Sequence, residues 1–336
     1  MNRSRLSYAF AIAALAAFPL AGGPFYVELV AKVMILAIFA MSLDLLVGTT
    51  GLVSFGHAAF YGIGAYTLAF LSPGDGPANL WATLPRSVLA AALAALVIGA
   101  LVVRVKGVYF IMVTLAFAQM AYFVFHDTDF GGGSDGLSMS FRPVATLGPL
   151  TPFDVGNGRH VYYFVLAAMI AVAVFLRLLL RSPLGRALEG IRSNEHRMRS
   201  LGYPVPRYKL ASFTIAGGLA GLAGYLAAMQ SGFVNPELLS WHQSGNALVM
   251  VILGGRGRAH GGVVGAFVFV ALQELFQSLT RHWLLPFGAA IILLVMLLPG
   301  GLMGGAARLE AALAARLVRR AARRAEARLV EEHGHE

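Results

Sequence analysis

Apolar runs of about twenty residues recur along this chain, separated by short polar or glycine-rich breaks. They lie near 6–22, 26–47, 52–71, 86–103, 107–125, 161–180, 209–230, 261–280 and 284–299, with a shorter one near 238–255. A helix of about 20 apolar residues crosses a hydrocarbon core roughly 30 Å thick. Only helices and closed barrels satisfy their backbone there, and ten-residue alternating strands are absent from the pattern. The pattern predicts an all-α polytopic membrane protein with eight to ten transmembrane helices.

The polar breaks predict an orientation. Of the 26 Lys and Arg residues, 21 fall in five groups: 3–5, 104–106, 177–209, 256–258 and 306–336. Alternating spans bring all five to one side if the short run near 238–255 crosses, and an excess of Lys and Arg marks the cytoplasm. Both termini are then cytoplasmic. The loop 126–160, with four Asp and two Arg, falls outside. Arg3 and Arg5 ahead of an apolar run also resemble a signal peptide, but no clear Ala-x-Ala site follows, and the span is expected to be retained. The chain divides into a membrane domain, 1–305, with a cytoplasmic insertion at about 181–208, and a basic cytoplasmic helix, 306–336.

Composition agrees with lipid as the main solvent. The 336 residues are 58% hydrophobic and 12% charged, against roughly 25% charged in soluble domains. This excludes a soluble enzyme and a disordered chain. A net charge of +10 would suggest nucleic acid in a soluble protein, but here the basic residues lie between apolar spans. There is no cysteine, hence no disulfide, no thiolate metal site and no thiol nucleophile.

Five glycines, from Gly48 to Gly64, interrupt one apolar run, with Asp44, Ser54 and His57 nearby. Glycine costs helix stability but allows close approach or a break that opens backbone to a cavity. Polar groups facing lipid are expensive, so these face protein or water. A wall of a translocation path and tight packing with a hydrogen-bonded His57 both fit. Asp127-x-Asp129 has the opening spacing of a calcium loop, but Gly131 and Ser138 stand where ligands belong. A glycine-rich turn at the outer vestibule fits better. Leu184, Leu188 and Ile191 predict an amphipathic helix starting at Ser182-Pro183, and Gly202 with Pro204 ends a second one. Such a helix docks on a cytoplasmic partner or lies on anionic lipid. Gln273 and Glu274 sit within a span, where a carboxylate lines a path, pairs with a base or tilts to an interface. Arg316, Arg319, Arg320, Arg323 and Arg324 form one basic helical face in the tail, facing anionic headgroups or solvent.

Four strings together resemble the LivM-type permeases of the branched-chain amino acid ABC importers. They are Gly51-Leu52-Val53-Ser54-Phe55-Gly56-His57-Ala58-Ala59-Phe60, Gly107 to Ala116, Gly132-Gly133-Ser134-Asp135-Gly136-Leu137, and the stretch from Arg181 through Arg207-Tyr208-Lys209-Leu210 to Gly224. The resemblance spans roughly 30–300. It implies a pore made with a LivH-type sibling permease, two ATPase subunits beneath, a periplasmic binding protein and a bacterial inner-membrane location. The cytoplasmic insertion then carries a coupling helix related to a Glu-Ala-Ala…Gly motif. Glu195 and Gly202 match its ends, while Arg197 and Met198 replace its small residues. Gly185, Arg186, Arg192, Glu195 and Gly202 are the expected ATPase-coupling residues. Asp44, Gly51, Ser54, Gly56, His57, Gln119, Asp135 and Glu274 are the expected pathway residues.

The chain has no Gly-x-x-x-x-Gly-Lys-Ser/Thr phosphate loop. ATP is therefore expected on partner subunits, with no cofactor, metal or catalytic residue here. Substrate could be a branched-chain or related amino acid. Two rival readings are weaker. A stand-alone secondary transporter or channel needs a coupling-ion site and usually internal symmetry, and no convincing inverted repeat is visible. An intramembrane hydrolase using Ser54 and His57 lacks the glycine two residues before the serine, since position 52 is Leu.

Overall fold

The computed structural model describes residues 3–73, 76–147, 150–153, 156–258, 260–298, 300–305 and 308. The basic tail, with its arginine face, lies outside them apart from Arg308.

Helices form where the apolar runs predicted them. In chain order they are α1 (Arg3–Ala21), α2 (Pro24–Asp44), α3 (His57–Leu71), α4 (Leu80–Val102), α5 (Val108–His126), α6 (Gly158–Arg181), α7 (Pro183–Ser193), α8 (Glu195–Ser200), α9 (Val205–Ser231), α10 (Trp241–Gly254), α11 (Gly261–Leu279) and α12 (Leu284–Leu297). Among the described residues, seven helical stretches are long and apolar enough to cross a membrane: Pro24–Thr50, Leu80–Val102, Val108–His126, Gly158–Arg181, Val205–Ser231, Gly261–Leu279 and Leu284–Gly305. The chain is thus an all-α, multi-pass membrane protein.

The run near 52–71 differs from expectation. Its first residues, 51–56, are irregular, and only His57–Leu71 is helical. At 1.5 Å per residue, α3 spans about 22 Å, too short to cross alone. A π-helical turn, Leu45–Thr50, continues α2 up to that break.

The buried centre is α2 and α9. α3 and α4 pack on α9, while α6, α10 and α11 pack on α2. Gly217 and Gly221 of α9 lie against Ala95 and Ala91 of α4, so small residues set that spacing. By contrast α5 and α12 bury little. Phe110, Thr114 and Ala118 form the buried stripe of α5, and Tyr109, Met112, Met120 and Phe123 remain exposed.

The loop between α5 and α6 carries short strands that the hydropathy pattern missed. β1 (Leu137–Ser138) pairs antiparallel with β4 (Phe233–Val234), and β2 (Ala145–Leu147) pairs with β3 (Leu150–Phe153). The β1–β4 pair joins the segment after α5 to the segment after α9.

Pro19 inside α1 has no N–H to give to the carbonyl four residues back, that of Leu15. The Tyr162 hydroxyl of α6 donates to that carbonyl at 2.7 Å. Tyr163 donates to Ala16 O at 3.1 Å. Tyr162→Phe should therefore lower stability by about 1 kcal/mol, read as a lower melting midpoint. Tyr163→Phe, whose acceptor keeps a helical donor in Leu20, should change it less. Equal effects would remove this account of how α1 docks.

Candidate functional site

The π-turn at the end of α2 is a meeting point for three distant segments. A π-turn holds one residue more per turn than an α-helix and leaves its backbone groups less regularly paired. Here the Arg192 guanidinium, at the end of α7, donates to the Gly48 carbonyl. From the loop between α10 and α11, Gly257 N donates to Asp44 Oδ1 at 2.9 Å. A Cβ at Gly48 would collide with the Asp44 carboxylate and the Gly257 backbone, which explains glycine there. Gly51 ends the turn at φ 78, a left-handed conformation suited to glycine, and packs against the Arg192 side chain. Thr50 Oγ1 bonds to Ser212 Oγ of α9 at 2.8 Å and donates to Leu45 O at 3.0 Å. Arg192 and Arg256 lie close enough to Asp44 to act on its charge.

Beyond the turn, side chains compensate the broken helix. Phe55 N donates to Thr114 Oγ1 of α5 at 3.3 Å, and Gly56 N to Ser54 Oγ at 3.2 Å. Ala58 N, in the first turn of α3, donates to Ser244 Oγ of α10 at 2.8 Å. Irregular backbone at membrane depth needs such partners. The Ser42 hydroxyl donates to Phe39 O at 2.7 Å, so it accepts from His57 Nε2–H at 2.8 Å. His57 Nδ1 is then an unprotonated acceptor and has no partner. His57 stacks on Phe39 with ring centroids 5.4 Å apart. Its partner is Ser42 and not Ser54, so the nucleophile–base pair of a hydrolase is not formed.

The expected pathway residues separate into several places. Ser54, Gly56 and His57 are buried at the start of α3, and Asp44 and Gly51 belong to the π-turn. Gln119 is half-buried on α5, one turn from exposed Ala116 and Phe123. Asp135 is exposed in the loop between α5 and α6, accepting from Ser134 Oγ at 3.3 Å. Glu274 is half-buried on α11, which packs chiefly on α10 and α2. Where the glycine-rich turn after α5 begins, Asp127 Oδ1 lies 2.6 Å from His126 Nδ1.

The polar insertion between α6 and α9 folds as its pattern predicts. Ser182 Oγ accepts from Gly185 N at 3.4 Å and caps α7, with Pro183 in the first turn. Ala187, Leu188 and Ile191 are buried. Asn194 Oδ1 caps α8 by accepting from Arg197 N at 2.9 Å. Gly202 follows at a positive φ of 84.

The coupling candidates divide into two kinds. Arg186 is exposed and Gly202 open. Gly185, Arg192 and Glu195 face their own chain. A Cβ at Gly185 would press on the Leu179 and Leu180 carbonyls at the end of α6. Glu195 Oε2 accepts from Lys209 Nζ of α9 at 2.9 Å. Its Oε1 lies 3.1 Å from Lys106 Nζ, in the α4–α5 loop, and 2.6 Å from Arg199 Nη2. Burial works to raise the Glu195 carboxyl, yet the hydrogen bonds and charges of Lys209 and Lys106 outweigh it and hold the group below its usual range. Lys106, Lys209, Ser42, Thr114, Ser212 and Ser244 are not among the pathway or coupling residues expected from the sequence. Their signal was a hydroxyl within an apolar span, or a lysine at its edge.

A family described as "Branched-chain amino acid transport system / permease component" matches residues 25–303. The chain is 33% identical over 296 residues to the high-affinity branched-chain amino acid transport system permease protein LivM of Escherichia coli (strain K12), covering 82% of this chain and 69% of that one. It is 32% identical to LivM of Salmonella typhimurium with the same coverage. LivH of Escherichia coli (strain K12) is 26% identical over 147 residues, 43% of this chain and 46% of that one. These relatives are transport permeases. No solved structure matches the chain.

Proposed function

The chain belongs to the family of branched-chain amino acid transport permease components and is a permease subunit of an ABC importer; from that premise we propose that it forms half of a pore for branched-chain or related amino acids in a bacterial inner membrane. The other half is a LivH-like sibling permease. Two ATPase subunits bind the ATP on the cytoplasmic side, and a periplasmic binding protein delivers substrate from the other. Both termini are cytoplasmic in this reading.

The supporting observation is the grip of Arg192 on the Gly48 carbonyl. It connects the amphipathic α7, with exposed Arg186, to the π-turn of the central helix α2. ATP-driven closure of the ATPases moves α7 and α8 as one lever, because Asn194 ends α7 and caps α8 and Met198 of α8 lies against Gly190 of α7, and Glu195 carries that motion to α9 and the α4–α5 loop. Arg192 passes that motion to the π-turn, whose backbone pairing is the least costly to rearrange. The break at 51–56 and α3 then shift against α5 and α10, which hold them by single hydroxyls. The exposed apolar face of α5, with Gln119 upon it, turns toward the sibling, since a carboxamide facing lipid is costly.

Mild-detergent pull-down from the native membrane should recover a second permease and an ATPase. Arg186→Glu should lose the ATPase alone. Arg192→Ala should keep the ATPase but lower ATP-driven uptake about tenfold, the loss expected for one charge-assisted hydrogen bond. Recovery of the chain alone, with uptake that persists without ATP, would sink the reading.

A further inference from the structure

Beside the π-turn, a shallow cleft of about 20 Å³ opens between α2, α6 and the α10–α11 loop. Leu45, Leu176 and Leu180 line it with Asp44, Arg177 and Arg258. The volume is near that of one or two waters and cannot enclose an amino acid. Among the described residues the charges here do not balance. Asp44 Oδ1 accepts from Gly257 N, and Arg192 and Arg256 neighbour it. Its carboxylate pairs with neither Arg177 nor Arg258, and among the described residues no carboxylate reaches either guanidinium. Both arginines are exposed.

Position decides what anion they meet. Arg177 lies four residues, about 6 Å, from the end of α6, at the level where a membrane's polar headgroups begin. On α6, Val174 is exposed one turn before it, and Ala171 and Ala167 are exposed further back along the same side of the helix. Two guanidinium groups that no carboxylate reaches among the described residues, at the foot of an apolar strip, fit a phosphodiester with acyl chains attached. Arginine binds phosphate oxygens in its planar fork. A free phosphate would use the arginines and leave the strip idle.

We propose that Arg177 and Arg258 form a headgroup site for one anionic phospholipid of the cytoplasmic leaflet, with its acyl chains along Val174, Ala171 and Ala167. The leaflet rests on the orientation proposed above; the site does not. Bound there, the lipid bridges α6 and the loop whose Gly257 holds Asp44 beside the π-turn, so its occupancy biases the turn that Arg192 grips.

Native mass spectrometry of the detergent-purified chain, with whatever subunits accompany it, reads this directly. Wild type should retain about one phosphatidylglycerol per chain when phosphatidylglycerol and phosphatidylcholine nanodiscs supply the lipid, and no phosphatidylcholine. R177Q with R258Q should weaken retention roughly 30-fold, two surface charges' worth. R104Q, which removes an exposed arginine elsewhere, should leave it unchanged. Equal retention of both lipids, or equal loss in R104Q, would overturn the site as diffuse surface attraction. Release of the lipid by millimolar inorganic phosphate would overturn the lipid assignment in favour of a simple anion site. The readout needs no transport and no ATPase, so failure of the importer assembly would leave it standing.

Discussion

Gly224→Ala should destabilise the subunit by at least about 3 kcal/mol, the upper end of overpacking costs, and lower its recovery from the membrane. A Cβ at Gly224 would fall inside the Tyr61 carbonyl of α3, and one at Gly64 inside the Gly221 carbonyl of α9. The obstacle is backbone on both sides. No side chain can rotate away, so the two helices must separate along their whole contact. That contact positions the start of α3, where Ala58 N meets Ser244. The measurement is the melting midpoint at one fixed scan rate, with size-exclusion profiles of the purified protein. Gly158→Ala supplies a control of opposite expectation. Nothing lies within 4 Å of that position, and alanine suits a helix better than glycine, so stability should hold or rise slightly. A Gly224→Ala midpoint equal to wild type would refute the close approach of α3 and α9.

Glu195→Gln should cost about 3 kcal/mol, because it strands a buried charge. The Lys209 side chain is 6% exposed and Glu195 18%. Lys106 and Arg199 are 57% and 52% exposed, so water can replace their share. Lys209 has no such recourse. Adding Lys209→Met to Glu195→Gln should therefore recover most of the loss, while adding Lys106→Met should recover little. The acid limb gives an independent check. The folded-state pKa of Glu195 is depressed, so its contribution is complete above the unfolded value of about 4.5 and disappears as pH falls through the lower folded one. The stability gap between wild type and Glu195→Gln should accordingly narrow below pH 4.5. A gap independent of pH would mean that packing, and not charge, makes Glu195 important.

Most helices were legible in the chain because apolar periodicity and length are local properties. Lipid as solvent, the helical positions, the capped α7 and the stop at Gly202 all follow from neighbours within a few residues. The family was legible for a related reason: its four strings are local too. The break at 51–56 was foreseeable only as an alternative. Five glycines allow both close packing and a broken helix, and the chain uses them for both: Gly64 meets Gly221, and Gly51 ends the π-turn at positive φ.

Which buried polar group meets which was not legible, since those partners are far apart in sequence. Thr50 finds Ser212 162 positions away, Ala58 N finds Ser244 186 away, and Arg192 reaches Gly48 across 144. Hydropathy assigns each a cost for facing lipid but names no partner. Folding settles the pairing: a buried polar group is costly unless it finds a partner, and the packing of α2, α3, α9 and α10 brings these partners within hydrogen-bond reach. The same geometry turned Arg192 and Glu195 inward onto their own chain and, among the described residues, left Arg177 and Arg258 without a carboxylate.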